Sequence, residues 1–447
     1  MHDLSYASHY STACVQTEHR AVERGDAAYH DRPVILTSIE QNLNMTILFG
    51  HPTGNPNSHN AALAHFEAGR LEAFCVPWMP SPSALCLLDF IMPVKPMAHR
   101  LARRQFPGLA KARKIQGRPG EWCRLTTRAL GWGDERLSYE ANDWLMRTMT
   151  RECRRPAVTA VHAYEDCSLR QFDEAKRVGK ACIYDMPIGY YPAWEQTQEL
   201  LAQRYSDWLP AGKVPSSNYV RPEQKRQEMN LADLTLVPSN FVEKTIRTFR
   251  PYQLLARTPY GVDLDFWKVE EKKPDARPLR FIFAGQLSLR KGIPGLIEAW
   301  KKSNLRDAEL ELVGPWQLAE GKRLSLPAGV KWRPPSSAAA LRERYRTADV
   351  FVFPSFFEGF GLVLLEAMAC GLSAIATEAT AGPDVMTEAC GRLIPTGNLD
   401  ALVESLRWFD KNRDHLPAMS RAARTQAEHF TWENYRRCVT EAVTSFV

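Results

Sequence analysis

The run VFVFPSFFEGFGLVLLEAMACG, Val350 to Gly371, decides how this chain is read. Its first part, Val350–Ser355, is short, apolar and β-branched or aromatic, the pattern of a strand buried on both faces. Its last part, Leu362–Ala369, is rich in Leu and Ala and reads as a helix. Gly359 and Gly361 lie between them. A buried strand running through a glycine turn into a helix is half of a βαβ unit, and in a parallel sheet that turn sits at the carboxyl end of the strand. The helix mouth there presents unpaired N–H groups and the positive end of the helix dipole, a setting suited to phosphate.

Two carboxylates flank that mouth. Glu366 sits about one and a half turns in, at 3.6 residues per turn. Phosphate would repel it, so it needs another partner, and the two hydroxyls of a ribose suit an ionised carboxylate. Glu358, before the helix, would take hydroxyls on the other side of the phosphates. Ribose, pyrophosphate and hexose in that order make a nucleoside diphosphate sugar.

The same alternation extends outward. Apolar runs at Thr46–Gly50, Val158–Ala163, Ala181–Asp185 and Leu234–Ser239 predict strands in the first half of the chain. Arg280–Gly285, Glu309–Gly314, Gly329–Trp332 and Ser373–Thr377 predict others in the second. Helical patterns lie between them, which predicts βαβ units and parallel sheets. VEEKKPDARP (Val269–Pro278) is charged and Pro-bearing, a linker composition. The expected fold class is α/β: two Rossmann-like doubly wound domains, 45–268 and 279–428, facing each other across a cleft. Residues 429–447 form a terminal helix in this reading. Residues 1–44 are polar and without period, and read as a disordered extension.

Composition sets outer limits. The 447 residues are 45% hydrophobic and 24% charged, ordinary for a globular chain long enough for two domains. A net charge of +6 on this length does not indicate nucleic-acid binding, though it fits an anionic substrate or an acidic membrane surface. Ten scattered cysteines include no C-x-x-C, and no Cys/His cluster has zinc spacing, so the expectation is reduced thiols and a cytoplasmic protein. No apolar stretch reaches the ~18 residues of a membrane helix. Residues 99–128 are basic and amphipathic, with Arg104, Lys111, Arg113 and Lys114 around Phe106 and Leu109. They predict either a solvated face or peripheral contact with anionic lipid at the inner membrane face.

With those residues in view, E-G-F-G-L-V-L-L-E resembles the E-x7-E signature of retaining family 4 glycosyltransferases of the GT-B fold. PYGVD (Pro259–Asp263), FAGQLSLRKG (Phe283–Gly292), TAGPDV (Thr380–Val385) and PTGNPNSHNAAL (Pro52–Leu63) resemble further family strings in the expected order. The resemblance implies transfer of a sugar from a nucleotide sugar to a glycan, glycolipid or small-molecule acceptor, with retention of configuration and without a metal or other cofactor. It implies that Glu366 binds ribose, that Glu358 binds the donor sugar, and that Gly359, Phe360, Gly361 and Leu362 touch phosphate or sugar. Lys291, with Arg290 beside it, would neutralise the leaving diphosphate. Gln286 stands where the family usually has Arg. Gly54 lies in the corresponding first-domain glycine loop.

In AVHAYEDCSL (Ala160–Leu169), His162 or Tyr164 stands for the family's histidine, and Glu165 is a further sugar-binding candidate. Two strings invite a second reading. Asp263-Leu264-Asp265 spells a metal-binding D-x-D but falls inside the PYGVD loop. Tyr190, Tyr191 and Trp194 suit sugar stacking or a buried cluster. Alternatives at this stage are a nucleotide-sugar-binding protein with impaired catalysis, and a nucleotide-sugar epimerase or hydrolase on the same fold.

Overall fold

Two parallel sheets organise the chain in a computed structural model that describes residues 45–52, 54–79, 81–90, 104–117, 135–210, 222–268 and 277–446. The expected extension 1–44 and linker residues 269–276 lie outside the described residues. The first sheet contains β1 (Ile47–Gly50), β2 (Leu71–Val76), β3 (Lys114–Gln116), β4 (Ala160–Tyr164), β5 (Ala181–Asp185), β6 (Leu234–Val237) and β7 (Leu255–Arg257). Its strand order is β3-β2-β1-β4-β5-β6-β7. The second contains β8 (Leu279–Ala284), β9 (Ala308–Val313), β10 (Val330–Arg333), β11 (Val350–Phe353), β12 (Ser373–Thr377) and β13 (Gly391–Ile394), ordered β10-β9-β8-β11-β12-β13. Every pairing is parallel.

The central strands β1, β4, β6, β11 and β12 are buried along their whole length, which is why they are short unbroken apolar runs. Strand order reverses between β1 and β4 in one sheet and between β8 and β11 in the other. At such a reversal the connections leave toward opposite faces and open a crevice at the strand ends. In the second domain the helices Ile293–Ser303 and Leu399–Lys411 pack together, as do Leu362–Ala369 and Leu416–Glu428. The four loops following β1, β4, β8 and β11 therefore flank two crevices. All the predicted site residues fall in these loops, in the strand end that feeds them or in the helix that leaves them.

Helix starts are set by local chemistry. Asn55 and Ser58 form a reciprocal capping box at the helix Pro56–Glu67. Ser239 caps Asn240–Phe249 through the Val242 N–H. The last helix, Trp432–Phe446, packs against Pro56–Glu67, and Arg436 pairs with Glu67 at 2.8 Å and donates to Asn60 at 3.0 Å. The chain thus ends on its first domain. It gets there through a close crossing at which Val262 bridges Thr431. A Cβ on Gly261 would stand 2.3 Å from the Thr431 carbonyl carbon, so glycine permits that crossing.

Candidate active site

The loops after β8 and β11 touch because glycine lets them. Gly292 has φ 73°, and a Cβ there would lie 2.0 Å from the Pro354 oxygen. The Phe356 N–H donates to the Arg290 oxygen at 2.8 Å, fastening one loop to the other. The Arg290 guanidinium donates to the Phe357 oxygen at 2.7 Å and to Glu358 Oε1 at 3.0 Å. Lys291 Nζ pairs with the same Glu358 oxygen and lies 4.9 Å from the centre of the Phe353 ring. Lys291 and Glu358 are only 8% and 6% exposed. Burial alone would push Glu358 up, but Lys291 and Arg290 hold its carboxyl below the usual range. Burial moves the Lys291 ammonium down, opposed by its Glu358 partner.

The helix mouth beside them leaves its amides open. Gly361 sits at φ 85°, where a Cβ would come within 2.5 Å of the Phe353 ring. Among the described residues, the N–H groups of Phe360, Gly361, Leu362 and Val363 meet no protein acceptor. Farther along the helix, the Glu366 carboxylate takes no hydrogen bond or ion pair from the described residues. Burial alone pushes it up to about 7. Gln286, just past β8, is exposed.

The reverse side of this loop belongs to the first domain. The Gly189 N–H donates to the Glu358 carbonyl at 3.3 Å, and the Ser239 hydroxyl donates to the Gly359 carbonyl. A Cβ on Gly359 would lie 1.6 Å from the Pro187 oxygen. Phe357 packs against Trp194 and Phe241, with ring centres 5.3 Å away in both cases. Asp384 accepts from the Asn240 N–H at 3.1 Å and stands 3.7 Å from Arg257. Tyr190 and Trp194, which the sequence left open between stacking surface and core, are both buried, Tyr190 against Tyr191 and Phe249 of its own domain and Trp194 against Phe357 of the other.

The first-domain candidates divide. Gly54 holds φ 67° just past β1 and donates its N–H to His51 Nδ1 at 2.9 Å. The His51 ring stands 4.6 Å from that of Tyr164, so the ends of β1 and β4 adjoin. His162 corrects the reading of a cleft histidine. It is fully buried within β4, its Nδ1 is 2.8 Å from His65 Nε2, and burial pushes it down to about 3. Glu165 is likewise engaged by structure rather than free for a sugar: the buried Lys225 ammonium meets it at 2.7 Å and Asp166 at 2.9 Å. Burial raises Glu165 to about 7 despite that lysine. The D-x-D string is a local turn, in which Asp263 Oδ1 accepts from the N–H groups of Asp265 and Phe266.

Of the basic stretch 99–128, residues 104–117 are described, and they do not form an amphipathic helix. They make a single helical turn, Pro107–Leu109, followed by β3. Arg104 is buried, whereas Arg113 is exposed and pairs with Glu72 and Glu152. Three participants at the domain contact were missed by sequence reasoning: Ser239, Asn240 and the carboxylate of Asp384. A polar cap before a helix was the one available signal for Ser239.

The chain is similar to several known proteins. Residues 265–426 match the model of a family described as glycosyl transferases group 1. The O-antigen chain mannosyltransferase B of Escherichia coli is 31% identical over 183 residues, covering 37% of this chain and 45% of that protein. The D-inositol 3-phosphate glycosyltransferase of Paenarthrobacter aurescens is 33% identical over 216 residues, 40% of this chain and 51% of the relative. The matches thus span about half the length of these curated relatives. Among solved structures, sucrose-phosphate synthase from Thermosynechococcus elongatus superimposes with a TM-score of 0.62 at 17% identity, covering 88% of this chain and 96% of that one. Anabaena Alr3699/HepE in complex with UDP-glucose does so at 0.57 and 15%, covering 90% and 100%. The two facing doubly wound domains are the GT-B fold. No helix among the described residues is long and apolar enough to cross a membrane.

Proposed function

We propose, for a chain whose residues 265–426 match the model of glycosyl transferases group 1, that the cleft transfers a sugar from a nucleoside diphosphate sugar to a hydroxyl acceptor. The observation that carries this reading is the adjacency of Lys291 and Arg290 on Glu358 to the unpartnered N–H groups of Phe360–Val363. Two cations and a helix mouth converge where a diphosphate would sit, and Glu366 waits one turn on with an unpartnered carboxylate for ribose hydroxyls. The solved complex of Alr3699/HepE with UDP-glucose, a protein of the same fold, supports a nucleotide-sugar donor.

In this reading the bond between the anomeric carbon and the diphosphate oxygen breaks while the acceptor oxygen bonds to that carbon. The charge growing on the diphosphate is met by Lys291, Arg290 and the helix N–H groups, so the reading needs no metal ion. The acceptor proton passes to the departing phosphate. Glu358, fixed by both cations, orients the sugar hydroxyls. Retention of configuration rests on the resemblance of the E-x7-E run and is tested by the anomeric signal of the product. A thermal-shift panel of UDP, GDP and ADP sugars tests the donor site: binding raises the unfolding temperature by mass action. Protein that responds to none of them would overturn the assignment.

A further inference from the structure

A crevice opens behind the loops after β8 and β11, where the end of the helix Tyr191–Arg204 meets the second domain. Its floor is formed at the carboxyl ends of β11, β12 and β13, by Pro354, Thr377 and Ile394. Two helices begin at its rim, Ile293–Ser303 after β8 and Leu399–Lys411 after β13. They pack side by side against one parallel sheet, so both positive dipole ends lie at the crevice. The N–H groups of Gly295, Gly397 and Leu399, which line it, meet no acceptor among the described residues.

The first domain supplies the other wall. Tyr205 is only 6% exposed, and its hydroxyl makes no hydrogen bond with the described residues. A Cβ on Gly295 would lie 3.2 Å from that oxygen, so the hydroxyl is aimed at the first turn of the helix Ile293–Ser303. Burial pushes the phenol up, which keeps it a donor. The Arg204 guanidinium stands 5.3 Å from the Tyr205 ring centre and donates through one nitrogen to the Gly397 carbonyl at 3.1 Å. Its other nitrogens meet no acceptor among the described residues. A buried hydroxyl without a partner calls for a guest, and the chemistry of the walls selects it. Amides, phenol and guanidinium all donate, and no carboxylate lines the crevice. Glu298 acts on Tyr205 from outside the lining and is paired with Lys302 at 3.1 Å. The free space is about 20 Å³, above the ~10–15 Å³ that one water needs. A small oxyanion suits those donors and that size, whereas a sugar ring does not.

We propose that this crevice binds a phosphoryl group, as inorganic phosphate or as the phosphate of a phosphorylated small molecule, bridging Arg204 and Tyr205 to the two helix starts. It is separate from the diphosphate site proposed above: none of Arg290, Lys291, Glu358 or Phe360–Val363 lines it. The wall between the two sites is the layer of Gly292, Pro354 and Phe356. That layer also fastens the cationic loop, since the Phe356 N–H donates to the Arg290 oxygen at 2.8 Å. An occupant of the crevice therefore braces the two domains against each other and supports the backbone that carries Arg290 and Lys291. The inference stands apart from the glycosyl-transfer reading, because it uses none of the residues assigned to the donor.

The test is calorimetric titration of the full chain with inorganic phosphate and, separately, with glucose 6-phosphate, at an ionic strength held constant with chloride. Saturable binding is expected, and the tighter of the two ligands tells free phosphate from a phosphorylated metabolite. Arg204→Gln should weaken binding about ten- to a hundredfold and Tyr205→Phe about fivefold, the ranges for charged and neutral hydrogen bonds. Gly295→Ala sets a methyl against the phenol oxygen and replaces a helix glycine, so it should weaken binding without lowering the unfolding temperature. Lys291→Met alters the proposed donor site alone and should bind phosphate as the wild type does. Absence of saturable binding by either ligand would overturn the site. Binding that survives all three crevice substitutions, or that vanishes in Lys291→Met, would place the anion elsewhere and overturn it equally.

Discussion

Lys291→Met separates the charge of this side chain from its packing. Methionine keeps an unbranched stem against Phe353, over whose ring the ammonium now lies at 4.9 Å, and deletes only the cation. In the unliganded protein the change leaves Glu358 with one cation, Arg290 at 3.0 Å. The stability cost therefore falls below the ~3–5 kcal/mol of a fully orphaned buried ion. We expect about 1–2 kcal/mol, the scale of one charged hydrogen bond. At a domain of this size that corresponds to roughly 2–4 °C of melting temperature per kcal/mol. In the reaction the loss should be far larger. In the proposed reaction Lys291 meets the charge that develops on a leaving diphosphate, and removing one such preorganised donor slows comparable reactions by about 10²–10³, or ~2.7–4 kcal/mol. The assay is steady-state transfer at several donor concentrations beside a thermal unfolding curve. The expected signature is a fall in kcat with a modest change in melting temperature. Undiminished transfer would remove Lys291 from the chemistry, and a rate loss no greater than the loss of folded protein would reduce it to a structural cation.

Gly359→Ala places a methyl 1.6 Å from the Pro187 oxygen, a backbone clash that no rotamer relieves. It should misplace the helix mouth against the first domain and cost about 10²-fold in kcat/KM, the penalty of an ångström-scale displacement. Gly321→Ala, where a Cβ meets nothing within 4 Å, is the control and should be silent. Glu366 carries two opposite pH signatures. Its carboxyl is raised by burial to about 7, so its contribution to stability is full below the unfolded value near 4.5 and is lost as pH rises through 7. Ribose binding instead needs the ionised form, so calorimetric diphosphate affinity should weaken about tenfold per pH unit below that value. Glu366→Gln should flatten this component. Lys225→Met strands the buried Glu165 without its ammonium and should destabilise by about 3–5 kcal/mol in urea titrations.

The legible parts of this protein were those specified by neighbours in sequence. The run Val350–Gly371 encodes its own strand, turn and helix, so Glu358 and Glu366 could be placed before any contact was known. The strands Ala181–Asp185 and Ser373–Thr377 were equally self-declaring, being buried apolar runs. The edge strand β10 was legible too, at Gly329–Trp332, but the interior strand β2 and the other three edge strands were not. β3 is KIQ, β7 is LAR and β13 is GRLI, each short and half polar because one side of the sheet ends there. The misplaced candidates failed for long-range reasons. Glu165 meets a lysine far along the chain, and His162 shares its face with Tyr164 but lies two residues deeper in the strand, against His65. Nor does any local pattern announce that Tyr435, near the chain's end, reaches the ends of β4 and β5.

The E-x7-E turn presents its two edges to different neighbours. Its amides open toward the proposed donor, while the Glu358 and Gly359 carbonyls hold Gly189 and Ser239 of the first domain. A peptide segment so shared couples the two equilibria. Filling the amide edge with phosphate polarises the Gly359–Phe360 peptide group and strengthens its carbonyl's bond to Ser239 across the cleft. By reciprocity, whatever tightens the Ser239 contact raises donor affinity by the same factor. Occupancy and domain closure would then be a single transition, and a Ser239→Ala variant should lose donor affinity although its hydroxyl never meets the ligand.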